Sequence, residues 1–132
     1  MLKKPITYTD YNGVERTEDF YFNLSKAELM EMELGVTGGM TEMLNKIIAA
    51  KDAPSLMKTF KEMIMKSYGI KSDDGKRLIK SEELSIAFTQ TEAYSVLFME
   101  LITDDKAAAD FVYGIIPNEI QAEVAAQTAQ NN

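Results

Sequence analysis

The hydrophobic pattern of the chain changes its period once, near Ser25, and this change limits the folds available to it. Before that point Ile6 and Tyr8 alternate with Thr7 and Thr9, as in a half-buried strand. After it, apolar residues recur every three to four positions, as on one face of a helix. An isolated hairpin is marginally stable in water, so the first segment must pack against the helices. The pattern predicts a mainly α (α+β) fold, with an N-terminal β-hairpin followed by a compact bundle of five to seven short helices.

The predicted hairpin is centred on Asn12-Gly13, the dipeptide most typical of a two-residue type I′ turn. A turn of this length pairs Tyr11 with Val14 and Ile6 with Asp19 across the two strands. The aromatic residues at the end of the returning strand then form the face that packs on the rest of the protein.

Helix boundaries are predicted from capping residues and apolar stripes. Ser25-Lys26-Ala27-Glu28 has the spacing of a capping box. A second helix is predicted over residues 40–50, and a third begins near Pro54. Asp74-Gly75 indicates a turn and a short hairpin. Further helix starts are predicted at Ser81, at Asp104 and at Pro117. The capping-box spacing of Thr89-Gln90-Thr91-Glu92 predicts that the helix restarts near residue 90.

A length of 132 residues suits a single domain. We expect one globular domain over residues 1–120, with the hairpin in 1–24 and a helical core in 25–116. Residues 117–132 are expected to form a C-terminal helix and a frayed polar tail. No apolar run approaches the roughly 20 residues that a membrane helix needs, and the first residues show no secretory signal.

Two absences limit the chemistry. The chain has no Cys and no His, which excludes thiol nucleophiles, Cys/His zinc sites and imidazole general bases. The acidic pairs Asp73-Asp74 and Asp104-Asp105 lie at turn and cap positions, where carboxylates have structural roles. With 14 Lys and Arg against 21 Asp and Glu, the net charge of −7 argues against nucleic-acid binding. We therefore expect no enzyme activity, no cofactor, no metal, no nucleic acid and no membrane partner.

Methionine is over-represented, with nine in the chain. The pairs Met30 with Met32 and Met63 with Met65 are two residues apart, which is about 200° around a helix. The two members of a pair therefore point in nearly opposite directions and cannot both face the same side of the core. Core packing is the ordinary explanation of methionine, and an adaptable binding surface is the alternative.

Several segments, in one order, resemble a known family. They are FYFNLSKAEL (residues 20–29), SYGIKSDDGKRLIKS (67–81), TEAYS (91–95), FMEL (98–101) and GIIP (114–117). Together they are similar to tail assembly chaperones from long-tailed phages of Gram-positive bacteria, over about residues 5–117.

The resemblance implies a non-enzymatic protein of the host cell cytoplasm that is absent from the finished virion. Such proteins bind the helical tape measure protein and keep it soluble until tail tube subunits assemble around it. The major tail tube protein is a further partner that the resemblance implies, and a homo-oligomer is left open. Many members also occur in a longer, frameshifted form.

A small acidic protein with an adaptable methionine surface could cover the apolar faces of such a helical partner. We expect this partner-binding surface to include Met30, Met63, Met65, Tyr68, Lys71, Lys76 and Arg77. Two other interpretations remain at this point. One is a structural tail or head-completion protein of the virion, and the other is a small acidic regulatory interaction protein.

Overall fold

A computed structural model of the protein describes residues 1–32 and 53–122. Its strands are β1 (Leu2–Thr9), β2 (Glu15–Phe22), β3 (Tyr68–Lys71) and β4 (Leu78–Ile79). Its helices are α1 (Lys26–Glu31), α2 (Ala53–Ser67), α3 (Glu82–Thr89), α4 (Glu92–Thr103) and α5 (Asp105–Ile115), and residues 118–122 are also helical. The helix predicted over residues 40–50 and the tail beyond residue 122 lie outside the described residues.

The fold is mixed α+β, and the sheet is larger than the sequence indicated. The N-terminal hairpin is confirmed, but the four strands form one antiparallel sheet in the order β1-β2-β3-β4. The short hairpin predicted at Asp74-Gly75 supplies β3 and β4, and β3 pairs with β2 through Tyr21 opposite Gly69. The segment 25–116, expected to be a helical core, therefore contributes two strands as well as helices.

The turn of the first hairpin contains three residues rather than two. The Asp10 N–H donates to the Val14 carbonyl at 2.9 Å, and the Gly13 N–H donates to the Asp10 carbonyl at 3.0 Å. Gly13 has a φ of 79°, a left-handed conformation that glycine adopts without steric cost. The Asp10 carboxylate accepts hydrogen bonds from the backbone of Asn12 and Val14. These local contacts favour the three-residue loop, whose last residue is a glycine bulge.

The longer turn corrects the predicted strand register by one residue. Ile6 pairs with Glu18 and not with Asp19. Because side chains alternate between the faces of a sheet, a one-residue slip moves a whole set of side chains to the other face. The observed register places Ile6 on the same face as Phe20 and Phe22, so that one face of the hairpin carries the apolar residues.

Helices α2 to α5 cover this apolar face of the sheet. Phe22 lies at the centre of the core, fully buried, with its ring centroid 5.8 Å from that of Phe88 and 5.3 Å from that of Phe111. Tyr68 stacks on Phe88 with centroids 4.3 Å apart. The aromatic end of β2 is thus the contact between the sheet and the helices.

The chain leaves β2 through a short connection that fixes the start of α1. The Asn23 N–H donates to the Ser67 carbonyl at 2.8 Å, and the Leu24 N–H donates to the Ile115 carbonyl at 2.7 Å. These carbonyls belong to the last residues of α2 and α5, which have no partner inside their own helices. Both helix ends are therefore attached to the residues that precede α1.

Candidate functional site

A groove of about 580 Å³ lies between α1, α2 and the beginning of α3, and we call it the helical groove. It is lined by Leu24, Glu28, Glu31, Met32, Glu62, Met65, Lys66, Lys80, Ser81, Glu82 and Ser85. Its apolar residues are Leu24, Met32 and Met65, and charged side chains make up most of the remaining lining. A groove with an apolar floor and polar margins is typical of a surface that binds another helix.

The capping box predicted at Ser25 is confirmed, and it sets the direction of α1. The Ser25 hydroxyl accepts from the Glu28 N–H at 3.1 Å, and the Glu28 carboxylate accepts from the Ser25 N–H at 2.9 Å. Leu29 is fully buried in the core on one side of the helix. Glu31 and Met32, which follow it, line the groove.

Lys80 connects the walls at one end of the helical groove. Its ammonium group donates to the Glu28 carboxylate at 2.6 Å, to the Lys66 carbonyl at 3.0 Å and to the Asn23 carbonyl. These three bonds use all the protons of the ammonium group. Lys80 thus joins the end of α2, the start of α1 and the connection after β2.

The pKa of Glu28 reflects this arrangement. Partial burial by itself would raise the pKa, but the hydrogen bonds from Lys80 and from the Ser25 backbone lower it by more. The pKa of Glu28 therefore lies below its usual value. The carboxylate is ionised at neutral pH, and the ion pair with Lys80 is intact.

A buried hydroxyl attaches α3 to α2 on the far wall of the groove. Ser85 is 7% exposed, and its hydroxyl donates to the Met65 carbonyl at 2.8 Å. Ser81 is the N-cap of α3 and accepts from the Leu84 N–H at 3.0 Å. The bond from Ser85 therefore holds α3 against α2, and the N-cap bond fixes where α3 begins on this wall.

The margin of the helical groove is acidic. Glu31, Glu62 and Glu82 are exposed, and within residues 1–32 and 53–122 none of them has an ion-pair partner. Lys66 is the basic residue on the same margin whose side chain has no carboxylate partner in that part of the chain. Uncompensated charge on the groove is thus predominantly negative.

A second depression of about 430 Å³ lies on the sheet side, lined by residues 18–21 and 68–73, and we call it the sheet groove. Lys71 places its ammonium group 5.9 Å from the centroid of the Tyr21 ring, within the range of a cation–π contact. Burial raises the pKa of Tyr68, and the charge of Glu18 adds to that effect. The exposed surface that lines the sheet groove is mainly polar, whereas the exposed surface that lines the helical groove is mainly apolar.

The structure does not bring the seven predicted partner-binding residues together. Met65 lines the helical groove, whereas Tyr68 and Lys71 line the sheet groove. Met30 is 54% exposed but does not line either groove. Lys76 and Arg77 lie in the exposed loop between β3 and β4.

Met63 requires a correction. Its side chain is 2% exposed and belongs to the hydrophobic core, so it does not form part of an accessible surface in this fold. The two-residue spacing did indicate that Met63 and Met65 face different environments. Sequence reasoning could not say which of the two lies inside, because that depends on where α2 meets its neighbours.

The charged residues of the helical groove were missed by the sequence analysis. Glu62, Met65 and Lys66 share one face of α2, since they stand at positions i, i+3 and i+4. That spacing was a usable signal. Glu31 and Glu82, in contrast, come from other helices, and nothing local relates them to α2.

Two structural features are absent from the part of the chain that the structure describes. No group of three or more Asp and Glu side chains there could hold a metal ion. No helix among those same residues combines the length and apolar character that a membrane span requires.

A protein-family model described as "Phage tail assembly chaperone" matches residues 1–132. Neither the curated proteins nor the solved structures contain a match to this chain.

Proposed function

The chain belongs to the phage tail assembly chaperone family, and from that membership we propose that it binds the tape measure protein and keeps it soluble. We further propose that it assists assembly of the tail tube in the host cell cytoplasm and is not retained in the mature virion. The major tail tube protein is a second proposed partner. The proposed role needs no bond chemistry, so no residue is assigned a catalytic part.

The observation that carries this proposal is the helical groove. An unassembled helical protein exposes apolar faces, which aggregate unless they are covered. The floor of the groove offers the half-buried Met32 and Met65 for such a face, packed over the buried Leu24. Methionine side chains are unbranched and polarizable, so they adapt to the varied side chains of a long partner.

Within residues 1–32 and 53–122 the outer side of β1 pairs with no strand, and this free edge of β1 favours a helix rather than a strand as the bound element. Counting from Asp10, whose N–H bonds to Val14, alternate residues of β1 direct their backbone groups toward β2. Pro5 falls in the other set, so its nitrogen, which has no hydrogen, lies at the free edge. Lys3 lies on the same edge, and both residue types discourage addition of another strand.

The charge of the chain supports the solubility role. A net charge of −7 on 132 residues favours solubility through mutual repulsion between copies. When a partner covers the apolar floor of the helical groove, the charged side chains on the rest of this chain still face water.

Co-expression tests the proposal. The tape measure protein is produced alone, with this chain, and with an unrelated acidic protein of similar size as the control. We expect soluble tape measure protein that co-purifies with this chain only in the second case. Equal solubility in all three cultures contradicts the chaperone role.

Mass spectrometry of purified particles tests the second part. The chain is expected to be missing from particles that contain the tape measure protein. Its presence in a fixed ratio to the tube subunits would instead identify a structural tail protein.

A further inference from the structure

We propose that the helical groove selects amphipathic helices whose apolar face is flanked by Lys or Arg, and that Glu31 and Glu62 provide this selection. The inference rests on the proposed chaperone function and adds the chemical class of the segment that is bound. The tape measure protein, in this view, is recognised at basic amphipathic stretches rather than along its whole length.

The charges on the helical groove do not balance. Among the described residues that line the groove, four are acidic and two are basic. Glu28 and Lys80 neutralise each other at 2.6 Å. The residues left to meet a partner are Glu31, Glu62 and Glu82 against Lys66, a margin with excess negative charge.

Local helix stability does not explain Glu31, and it explains Glu62 only through the weak i, i+4 interaction with Lys66 on the same face of α2. Glu31 is the last residue of α1, where the negative end of the helix dipole disfavours a carboxylate. Glu62 lies within α2 and makes no ion pair with any residue that the structure describes. Glu82, in the first turn of α3, is favoured by the dipole, so its position needs no partner.

The two carboxylates lie beside the methionines of the apolar floor. Met32 adjoins Glu31, and Met65 lies one turn from Glu62 on α2. A helix that places apolar side chains on these methionines brings its flanking positions close to both carboxylates. Lys or Arg at those positions gains two ion pairs, whereas Asp or Glu is repelled.

Two labelled helical peptides with one shared apolar face test the inference by fluorescence anisotropy with the full chain. One carries Lys at the flanking positions and the other carries Glu. We expect the Lys peptide to bind at least about tenfold more tightly in about 50 mM NaCl, with the difference shrinking as salt screens the charges.

The variant Glu31→Lys/Glu62→Lys is expected to remove this preference or reverse it. The control Glu15→Lys/Asp110→Lys changes the net charge by the same amount at exposed positions outside the groove, and it should retain the preference. If the lysine variant fails to fold, as judged by circular dichroism, Glu31→Gln/Glu62→Gln replaces it and should reduce the preference.

Three results would overturn the inference: equal binding of both peptides, no binding of either, or an equal loss of preference in the control. A pull-down distinguishes failure of this inference from failure of the proposed function. Tape measure protein that binds the lysine variant as well as the unaltered chain rejects the groove and leaves the chaperone role standing. If the chain discriminates between the peptides but does not bind tape measure protein, the proposed partner is wrong and the charge selectivity of the groove is supported.

Discussion

Replacing Lys80 with Met tests whether a single ammonium group holds the helical groove together. Lys80 bonds to the Glu28 carboxylate and to the carbonyls of Lys66 and Asn23. Methionine has a similar length and can occupy the same space, but it donates no hydrogen bond. The substitution therefore removes the bonds and leaves the packing nearly unchanged.

The expected loss follows from the geometry of the ion pair. A hydrogen bond between charged groups contributes about 1.5–3 kcal/mol to stability. The side chains are 21% exposed for Lys80 and 35% for Glu28, so solvent screens the pair in part. Two backbone carbonyls also lose a donor, although water can reach the site. We expect the free energy of unfolding to fall by about 2 kcal/mol.

Urea unfolding followed by circular dichroism measures this loss. With a urea dependence of about 1.5 kcal/mol/M, the midpoint should fall by about 1–1.5 M. The matched control is Lys76→Met, in the exposed β3–β4 loop, where Lys76 has no ion-pair partner in the described part of the chain. Its midpoint should remain close to that of the unaltered protein.

A double-mutant cycle with Glu28→Gln isolates the pair itself. The coupling energy should be about 1 kcal/mol or more, because the attraction between the two charges is lost when either partner is replaced. A coupling near zero, or an equal effect of Lys76→Met, would refute the role given to Lys80.

Three further results are expected. In Gly69→Ala the new Cβ would lie 2.6 Å from Leu78 Cγ and 3.0 Å from a backbone oxygen, so urea unfolding should show a loss of about 1–3 kcal/mol. Met63→Ala should cost about 2–5 kcal/mol in the same assay, whereas Met30→Ala should change stability by less than about 0.5 kcal/mol; equal effects would contradict their different burial. The pKa of Glu28 is lowered from 4.5 on folding, so the stability from its ion pair is present above about pH 4.5 and lost as pH falls through the folded-state pKa. Unfolding curves from pH 8 to pH 3 should show the deficit of the Lys80 variant shrinking at the acid end.

Helix beginnings were predicted well because a cap acts within four residues. Ser25, Ser81 and Asp104 each accept a backbone hydrogen bond at the start of a helix, as expected. The restart near residue 90 is also confirmed, but the cap is Thr91 and not Thr89, whose hydroxyl donates to the Ile86 carbonyl. A spacing of three residues therefore located the break without identifying which threonine makes the cap.

The strand register of the first hairpin could not be predicted from local sequence rules. Asn12-Gly13 correctly marked the turn, yet a two-residue and a three-residue loop both place a glycine there. The difference of one residue in register is resolved by burial, because the observed pairing alone puts Ile6 on the face of Phe20 and Phe22. The same limit applies to β3, whose pairing with β2 joins segments far apart in the chain.

The amino-acid sequence was sufficient to predict the features that short-range interactions control, namely the first hairpin and the helix starts. It also showed the absence of thiol and imidazole groups and the family resemblance. The tertiary structure was needed to identify the contacts between residues that are far apart in the sequence. Glu31, Glu62 and Glu82 meet around one groove, Lys80 bonds to three separate elements, and Met63 is inside while Met65 borders the groove. Such contacts depend on how helices and sheet fit against each other, and packing of that kind is a property of the whole core rather than of any local stretch.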